Sequence, residues 1–324
     1  MAALCGACDQ GAQTDQPYAV GGAIHYTANV GTNAPLQCVP DPASMTCTGP
    51  VELAFDRLLL PVTVTRQSIF LSDTRMPPNF FTPTMAYDPV ARVVRITPDK
   101  PFTVGQTYRV QISSPSSPTD PSGLHAIDGA TLDPALQGKT VEFMVTAAAT
   151  APPTPPVIDF CKQVSPQLAS CGNLTQCHIN NKTPAVGLVL SFRDLPATRA
   201  TAIGRVAEES NTGPVSQGQP ASRLFGQDMP IIDPGDGTTG DPGNSWLLYK
   251  TLMASNAAPG LTTTANAHSV SWTPLSDTER ATLSGLIPGR EMPIPPLAMP
   301  LSVDQLETIS LWIAQGARVP DTCP

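Results

Sequence analysis

The chain has 324 residues, enough for two domains of ordinary size, each with its own core. Only 14% of the residues are charged and 5% aromatic, and 37 Pro and 24 Gly predict many turns, long loops and modest helix content. The net charge of −8 is spread evenly, with 8 Lys/Arg against 12 Asp/Glu in residues 1–150 and 10 against 14 in residues 151–324, so no basic face awaits phosphates and nucleic acid is not an expected partner. No run of about 20 apolar residues is present to form a membrane-spanning helix.

Residues 1–17 begin with Met1-Ala-Ala-Leu and reach Cys5-Gly6-Ala7-Cys8, followed by a polar tail from Asp9 to Pro17. This stretch resembles the end of a bacterial lipoprotein signal, in which small residues precede an acylated cysteine. The resemblance implies export, a truncated signal and a membrane anchor through a lipid on Cys8. The plainer reading is a soluble chain with two N-terminal thiols. Eight cysteines in a chain poor in Lys and Glu fit an oxidising compartment. Cys38 with Cys47, and Cys161 with Cys323, are candidate disulfides, although spacing alone does not fix connectivity.

Residues 18–148 read as an all-β sandwich. Val51–Phe55, Ser68–Leu71, Val93–Ile96, Tyr108–Ile112 and Val141–Val145 are strand-length runs. Turns are expected at Tyr87-Asp-Pro, at Thr97-Pro-Asp-Lys-Pro and at Val104-Gly105-Gln. Asp120, Asp128 and Asp133 lack the spacing of a calcium loop and read as turn caps. His25 and His125 belong to no recognisable site. Pro50-Val-Glu-Leu-Ala-Phe-Asp-Arg, Pro101-Phe-Thr-Val-Gly-Gln-Thr-Tyr-Arg-Val and Val141-Glu-Phe-Met-Val resemble the bacterial Ig-like domain of S-layer-type surface proteins, which implies a spacer or adhesive module.

Residues 149–156 are a Pro-rich linker and the clearest domain boundary. Residues 157–324 read as mainly α with long loops. Helices are expected over Val157–Ala169, where Pro166 interrupts, near Ala197–Glu209, over Asp241–Met253 with Asn244 or Ser245 as cap, around Leu275–Leu286, and after the capping box Ser302-Val-Asp-Gln305. In the last of these, Leu306, Ile309 and Ile313 recur at helical spacing and Gly316 ends the helix.

The stretch with the most chemistry is Cys171-Gly-Asn-Leu-Thr-Gln-Cys177-His178. Two thiols ending in an adjacent His are what covalent haem attachment requires, although the usual spacing is C-x-x-C-H. In order along the chain come the Cys-x5-Cys-His motif, Gly-Leu-x-Leu-Ser, Gly-Asp-Pro-Gly-Asn-Ser-Trp-Leu-Leu-Tyr-Lys, Met-Pro and Leu-Ser-x-x-Gln-Leu-x-x-Ile-x-x-Trp-Ile-x-x-Gly-Ala. This order resembles cytochrome c-like domains of bacterial surface lipoproteins of myxobacterial style. The resemblance implies haem c, with Cys171 and Cys177 as thioether cysteines, His178 as proximal ligand and Met292 as distal ligand. Met299, Met229 and His268 are rivals for the distal place, and Trp312 and Ile313 would wall the pocket. A disulfide between Cys171 and Cys177, with His178 on the surface, is the competing reading, and a zinc site lacks a fourth ligand at metal spacing.

No hydrolase elbow or phosphate loop is present, and the adjacent Glu208 and Glu209 diverge, so an enzyme is not expected. The expected function is electron transfer by an exported periplasmic or cell-surface lipoprotein of a Gram-negative bacterium, with a redox protein as partner and no small-molecule substrate. The alternative is a haem-free surface module with the same fold.

Overall fold

The computed structural model describes residues 22–115, 122–150, 154–172, 188–190, 194–207, 225, 229–255, 262–263, 270–287, 291–293 and 299–324. In the first half the strands are β1 (Ala23–Ile24), β2 (Tyr26–Ala28), β3 (Leu36–Cys38), β4 (Thr46–Cys47), β5 (Val51–Phe55) and β6 (Ile69–Asp73). They continue with β7 (Thr84–Asp88), β8 (Val93–Thr97), β9 (Phe102–Thr103), β10 (Thr107–Ile112), β11 (Thr131–Leu132) and β12 (Thr140–Ala147). Two four-stranded sheets, ordered β3-β12-β10-β6 and β2-β5-β8-β7, form the β-sandwich, with the short pairs β1-β11 and β4-β9 beside them.

Alternation sets the faces. In β5, Val51, Leu53 and Phe55 are buried while Glu52 and Ala54 point outward, and the register Leu53↔Val94 and Val51↔Ile96 joins matching apolar rows. Tyr108 and Phe143 from the other sheet meet Phe102, with ring centroids 4.7 Å and 5.9 Å from it. Cys38 and Cys47 are disulfide-bonded, with Cα atoms 6.0 Å apart.

One expected turn is a strand. Tyr87-Asp88 closes β7, and the reversal comes after it, where Arg92 has a φ of 55°. The Asp88 carboxylate accepts the amides of Val90 and Ala91, so the residue read as a turn former caps the hairpin from the strand end. Asp128 and Asp133 likewise cap turns, accepting from Ala130 and Ala135.

The helices of the second half are α1 (Ser165–Gly172), α2 (Leu195–Ala202), α3 (Trp246–Ala254), α4 (Asp277–Leu286) and α5 (Val303–Ala314). A single π turn over Phe160–Val164 precedes α1, so Pro166 falls in the first turn of a helix rather than breaking one. α2 is shorter than expected: the chain leaves it after Ala202 and forms bridges from Ile203 and Val206 to Ile232 and Pro230. The expected capping box at Ser302/Gln305 forms, and a second one at Ser276/Glu279 starts α4. Gly316, with a φ of 86°, ends α5 in the left-handed conformation that glycine tolerates.

The two halves share one apolar core and a buried ionic joint. Arg92 on the sandwich and Glu279 in the first turn of α4 pair at 3.1 Å, each almost fully enclosed. The Glu279 carboxylate also accepts the amides of Leu58 (2.6 Å) and Ser276 (2.8 Å), while Arg92 donates to the carbonyls of Asp56 (2.7 Å) and Pro274 (3.0 Å). Alongside, Gly243 packs so closely on Tyr87 that a Cβ there would meet its carbonyl at 2.9 Å.

His25, between β1 and β2, lies between two carboxylates, Asp56 at 2.8 Å and Asp133 at 3.0 Å. The hydrogen bond to Asp56, then that to Asp133, raises its pKa above the ordinary histidine value. A raised folded-state value means that the stabilisation is complete below the unfolded pKa of about 6.5 and is lost as pH rises through the folded one. Urea midpoints measured across that range are expected to fall more steeply with pH in the parent chain than in His25→Gln. Parallel profiles would show that the two contacts contribute nothing to stability.

Candidate haem-attachment site

The segment that ends at Cys171 is held at several points. The Asp159 carboxylate accepts the Lys162 amide at 3.0 Å, starting the π turn. Gln315, just after α5, donates to the Pro156 carbonyl and accepts the Ile158 amide, both at 2.8 Å. The Phe160 ring lies on Trp312 with centroids 5.4 Å apart, Gln167 meets Gln305, and Cys161 is disulfide-bonded to Cys323. The helix leading to the cysteine motif is thus locked to α5 by apolar, polar and covalent contacts. Cys171 sits in the last turn of α1. Cys177 and His178 lie outside the described residues.

Met292, beyond α4 in the chain, is held against α3. Its amide donates to the Lys250 carbonyl at 3.0 Å, and it is half-buried ahead of a cis Met292-Pro293 peptide. Lys250 is itself enclosed, with its ammonium 3.4 Å from the Ile287 carbonyl and 5.4 Å from the Trp246 ring centre. Among the rivals, Met229 is fully buried in the core, Met299 is 83% exposed, and His268 lies outside the described residues. Trp312 and Ile313 are buried, and the Trp312 indole N–H donates to the Arg318 carbonyl at 3.0 Å.

α3 is buried along nearly its whole length, from Leu247 to Ala254. Its first amides are satisfied by the carbonyls of Pro230 and Ile231 rather than by the expected side-chain cap. Ser245 instead accepts the Asp233 amide and donates to the Asp241 carbonyl, bracing the loop before the helix. In that loop the hydroxyl and amide of Thr238 and the amide of Thr239 bond Asp236, and the hydroxyl contact leads in lowering its pKa to about 2.

The candidate donors are of the types covalent haem takes, two thiols, an imidazole and a thioether, and the described residues place the backbone of two of them, Cys171 and Met292. The joint between Arg92 and Glu279 was not legible in the sequence. Glu279 read only as part of the short helix expected around Leu275–Leu286, and nothing marked a partner 187 residues away. Among the described residues no group of three or more His, Cys, Asp or Glu is placed to hold a metal ion, and no helix is long and apolar enough to cross a membrane.

No protein-family model matches the chain, and no curated protein matches it. Among solved structures, it is similar to the N-terminal part of the bacterial S-layer protein SbsC, with 13% identity over 43% of this chain and 26% of that one, at a TM-score of 0.27. A longer SbsC structure matches 41% of this chain and 15% of its own, with 15% identity and a TM-score of 0.25. PcoC, a methionine-rich copper resistance protein from Escherichia coli, matches 39% of this chain and 100% of its own, with 16% identity and a TM-score of 0.22. The chain therefore spans only about a quarter or less of the S-layer structures it resembles, and likenesses at such TM-scores carry no argument about its fold or activity.

Proposed function

We propose that the chain is an exported c-type cytochrome-like protein that transfers single electrons to a redox partner protein and performs no substrate chemistry of its own. Haem c, when bound, would supply the Fe(III)/Fe(II) couple. Cys171 and Cys177 would hold it by thioethers, with His178 and Met292 as the residues offering nitrogen and sulfur to the iron. The observation that carries the reading is the common support of the chain at Cys171 and at the distal candidate Met292. The helix ending at Cys171 is bolted to α5, and the strand of chain carrying Met292 is hydrogen-bonded to α3 of the same helical body. Export is supported by the two disulfides, and a lipid on Cys8 would tether the protein to a membrane surface.

A second reading is favoured by how the chain treats its other thiols. Four of the eight cysteines already pair as disulfides, and Cys171 with Cys177 would make a third. The chain would then be a haem-free surface module. Intact-mass analysis of the protein made with an export signal in a host that matures c-type cytochromes separates the two. The haem reading predicts an added haem mass that survives denaturation and vanishes in Cys171→Ser/Cys177→Ser. The alternative predicts no added mass and two thiols that alkylate only after reduction.

A further inference from the structure

β2 is one edge of the β2-β5-β8-β7 sheet, and two bonds fix which way its peptide groups point. The Asp56 amide donates to the His25 carbonyl at 3.2 Å, and the Asn29 amide donates to the Glu52 carbonyl at 3.0 Å. With Tyr26↔Phe55 and Ala28↔Leu53 in register, the main-chain groups of His25, Thr27 and Asn29 face β5, and the N–H and C=O groups of Tyr26 and Ala28 point away from it. Among the described residues no strand pairs with that side of β2, and no main-chain bond engages Tyr26 or Ala28 there.

This open edge lies in a recess. A cleft of about 650 Å³ is lined by every residue from His25 to Asn29. Side chains along a strand alternate between faces, so a cleft that touches each of them meets the edge of β2 as well as its outward face. Thr27, Ala54 and Val93, neighbours across three strands, form an outward-facing floor of short side chains. Leu311 and Ala314 of α5 stand on the other side. The buried Arg92–Glu279 pair joins the two halves that supply these walls, so the recess exists before any partner arrives.

The ionisable groups around the recess are occupied by one another. Arg95 pairs with Glu52 at 2.9 Å and His25 with Asp56 at 2.8 Å. Asp88 accepts the amides of Val90 and Ala91, and Glu307 is engaged within the chain. A charged ligand would find no unmatched partner there. What stands unpaired is main chain, donor and acceptor alternating along an extended edge. Another extended backbone matches that pattern residue for residue, and adding a strand to an open sheet edge is a general mode of peptide recognition.

We propose that the recess takes an extended, uncharged segment of a partner protein as an added strand on β2, its backbone paired with Tyr26 and Ala28 and an apolar side chain beside Thr27 on the floor. The site shares no residue with the candidate haem ligands and does not rest on the haem reading. Calorimetric titration of the full chain with the blocked peptide acetyl-Thr-Val-Ser-Val-amide tests it. The peptide is expected to bind with a dissociation constant below about 1 mM. Successive N–H groups of an extended peptide point to opposite sides, so N-methylating both Val residues, or instead Thr and Ser, blocks one side at a time. One of these isomers is expected to bind like the parent peptide and the other at least about tenfold more weakly. Ala28→Pro removes a donor from the open side of β2 and leaves the ladder to β5 intact, a place where an edge strand accepts proline. It is expected to weaken peptide binding about tenfold at an unchanged urea midpoint. No binding up to about 10 mM, equal binding of the two methylated isomers, or undiminished binding to a folded Ala28→Pro protein overturns the proposal. So does a concentration-dependent dimer of the parent chain that is lost in Ala28→Pro, which would assign the edge to a second copy.

Discussion

Replacing Glu279 by Ala is expected to destabilise the whole protein by about 3–5 kcal/mol, because it leaves a buried guanidinium without its counter-charge. The Arg92 side chain is 4% exposed and would keep only the carbonyls of Asp56 and Pro274, while the amides of Leu58 and Ser276 would lose their acceptor. The effect is expected in both halves together, since Leu58 and Arg92 belong to the sandwich and Glu279 to α4. Urea unfolding followed by far-ultraviolet circular dichroism and by tryptophan fluorescence should therefore shift by the same amount. Trp246, Trp272 and Trp312 all lie in the second half, so they report on it separately. The double variant Arg92→Met/Glu279→Met is expected to lose less than the sum of its single changes, because it removes both charges rather than orphaning one. A fluorescence transition that moves alone, or strict additivity in the double variant, would show that the joint is not a shared support.

Breaking Cys161–Cys323 is expected to have a comparable effect. The bond spans 162 residues, and closing a loop of that length restricts the unfolded chain by about 5 kcal/mol in the chain-entropy treatment. Cys38–Cys47 spans 9 residues and contributes about 3 kcal/mol on the same basis. Beyond the disulfide, the C-terminal tail is held by the exposed Arg199–Asp321 pair, which adds little in water. Cys323→Ser should therefore lower the urea midpoint more than Cys47→Ser does. It should also free the start of the second half, so that amides over the π turn and α1 exchange faster. Equal losses from the two variants would contradict the loop-length argument.

Sequence patterns identified the elements whose signals are local. Val51–Phe55 shows its strand by alternation, Ser302–Gln305 shows its helix start by a reciprocal cap, and both of the candidate disulfide pairs formed. What escaped was decided by partners far along the chain. Tyr87-Asp-Pro has the composition of a turn, yet pairing with Val93–Thr97 draws Tyr87 and Asp88 into β7 and leaves Pro89 to open the turn. The stretch after Ala202 has helical composition, yet bridges to Pro230 and Ile232 pull it into extended form. The cleft between Thr27 and Ala54 on the sandwich and Leu311 on α5 has no sequence signal of its own, because it arises from two surfaces that meet only after folding. Of the candidate haem residues, Cys171 and Met292 have described backbone supports, and Cys177 and His178 lie outside the described residues.

The most direct test of the redox reading is an absorption spectrum of the protein from a cytochrome-maturing host, recorded before and after denaturation and gel filtration. The account predicts a haem Soret band that stays with the denatured chain, sharpens on reduction, and is absent from Cys171→Ser/Cys177→Ser. A colourless folded protein from that host, or a haem band that separates from the chain on denaturation, would contradict it.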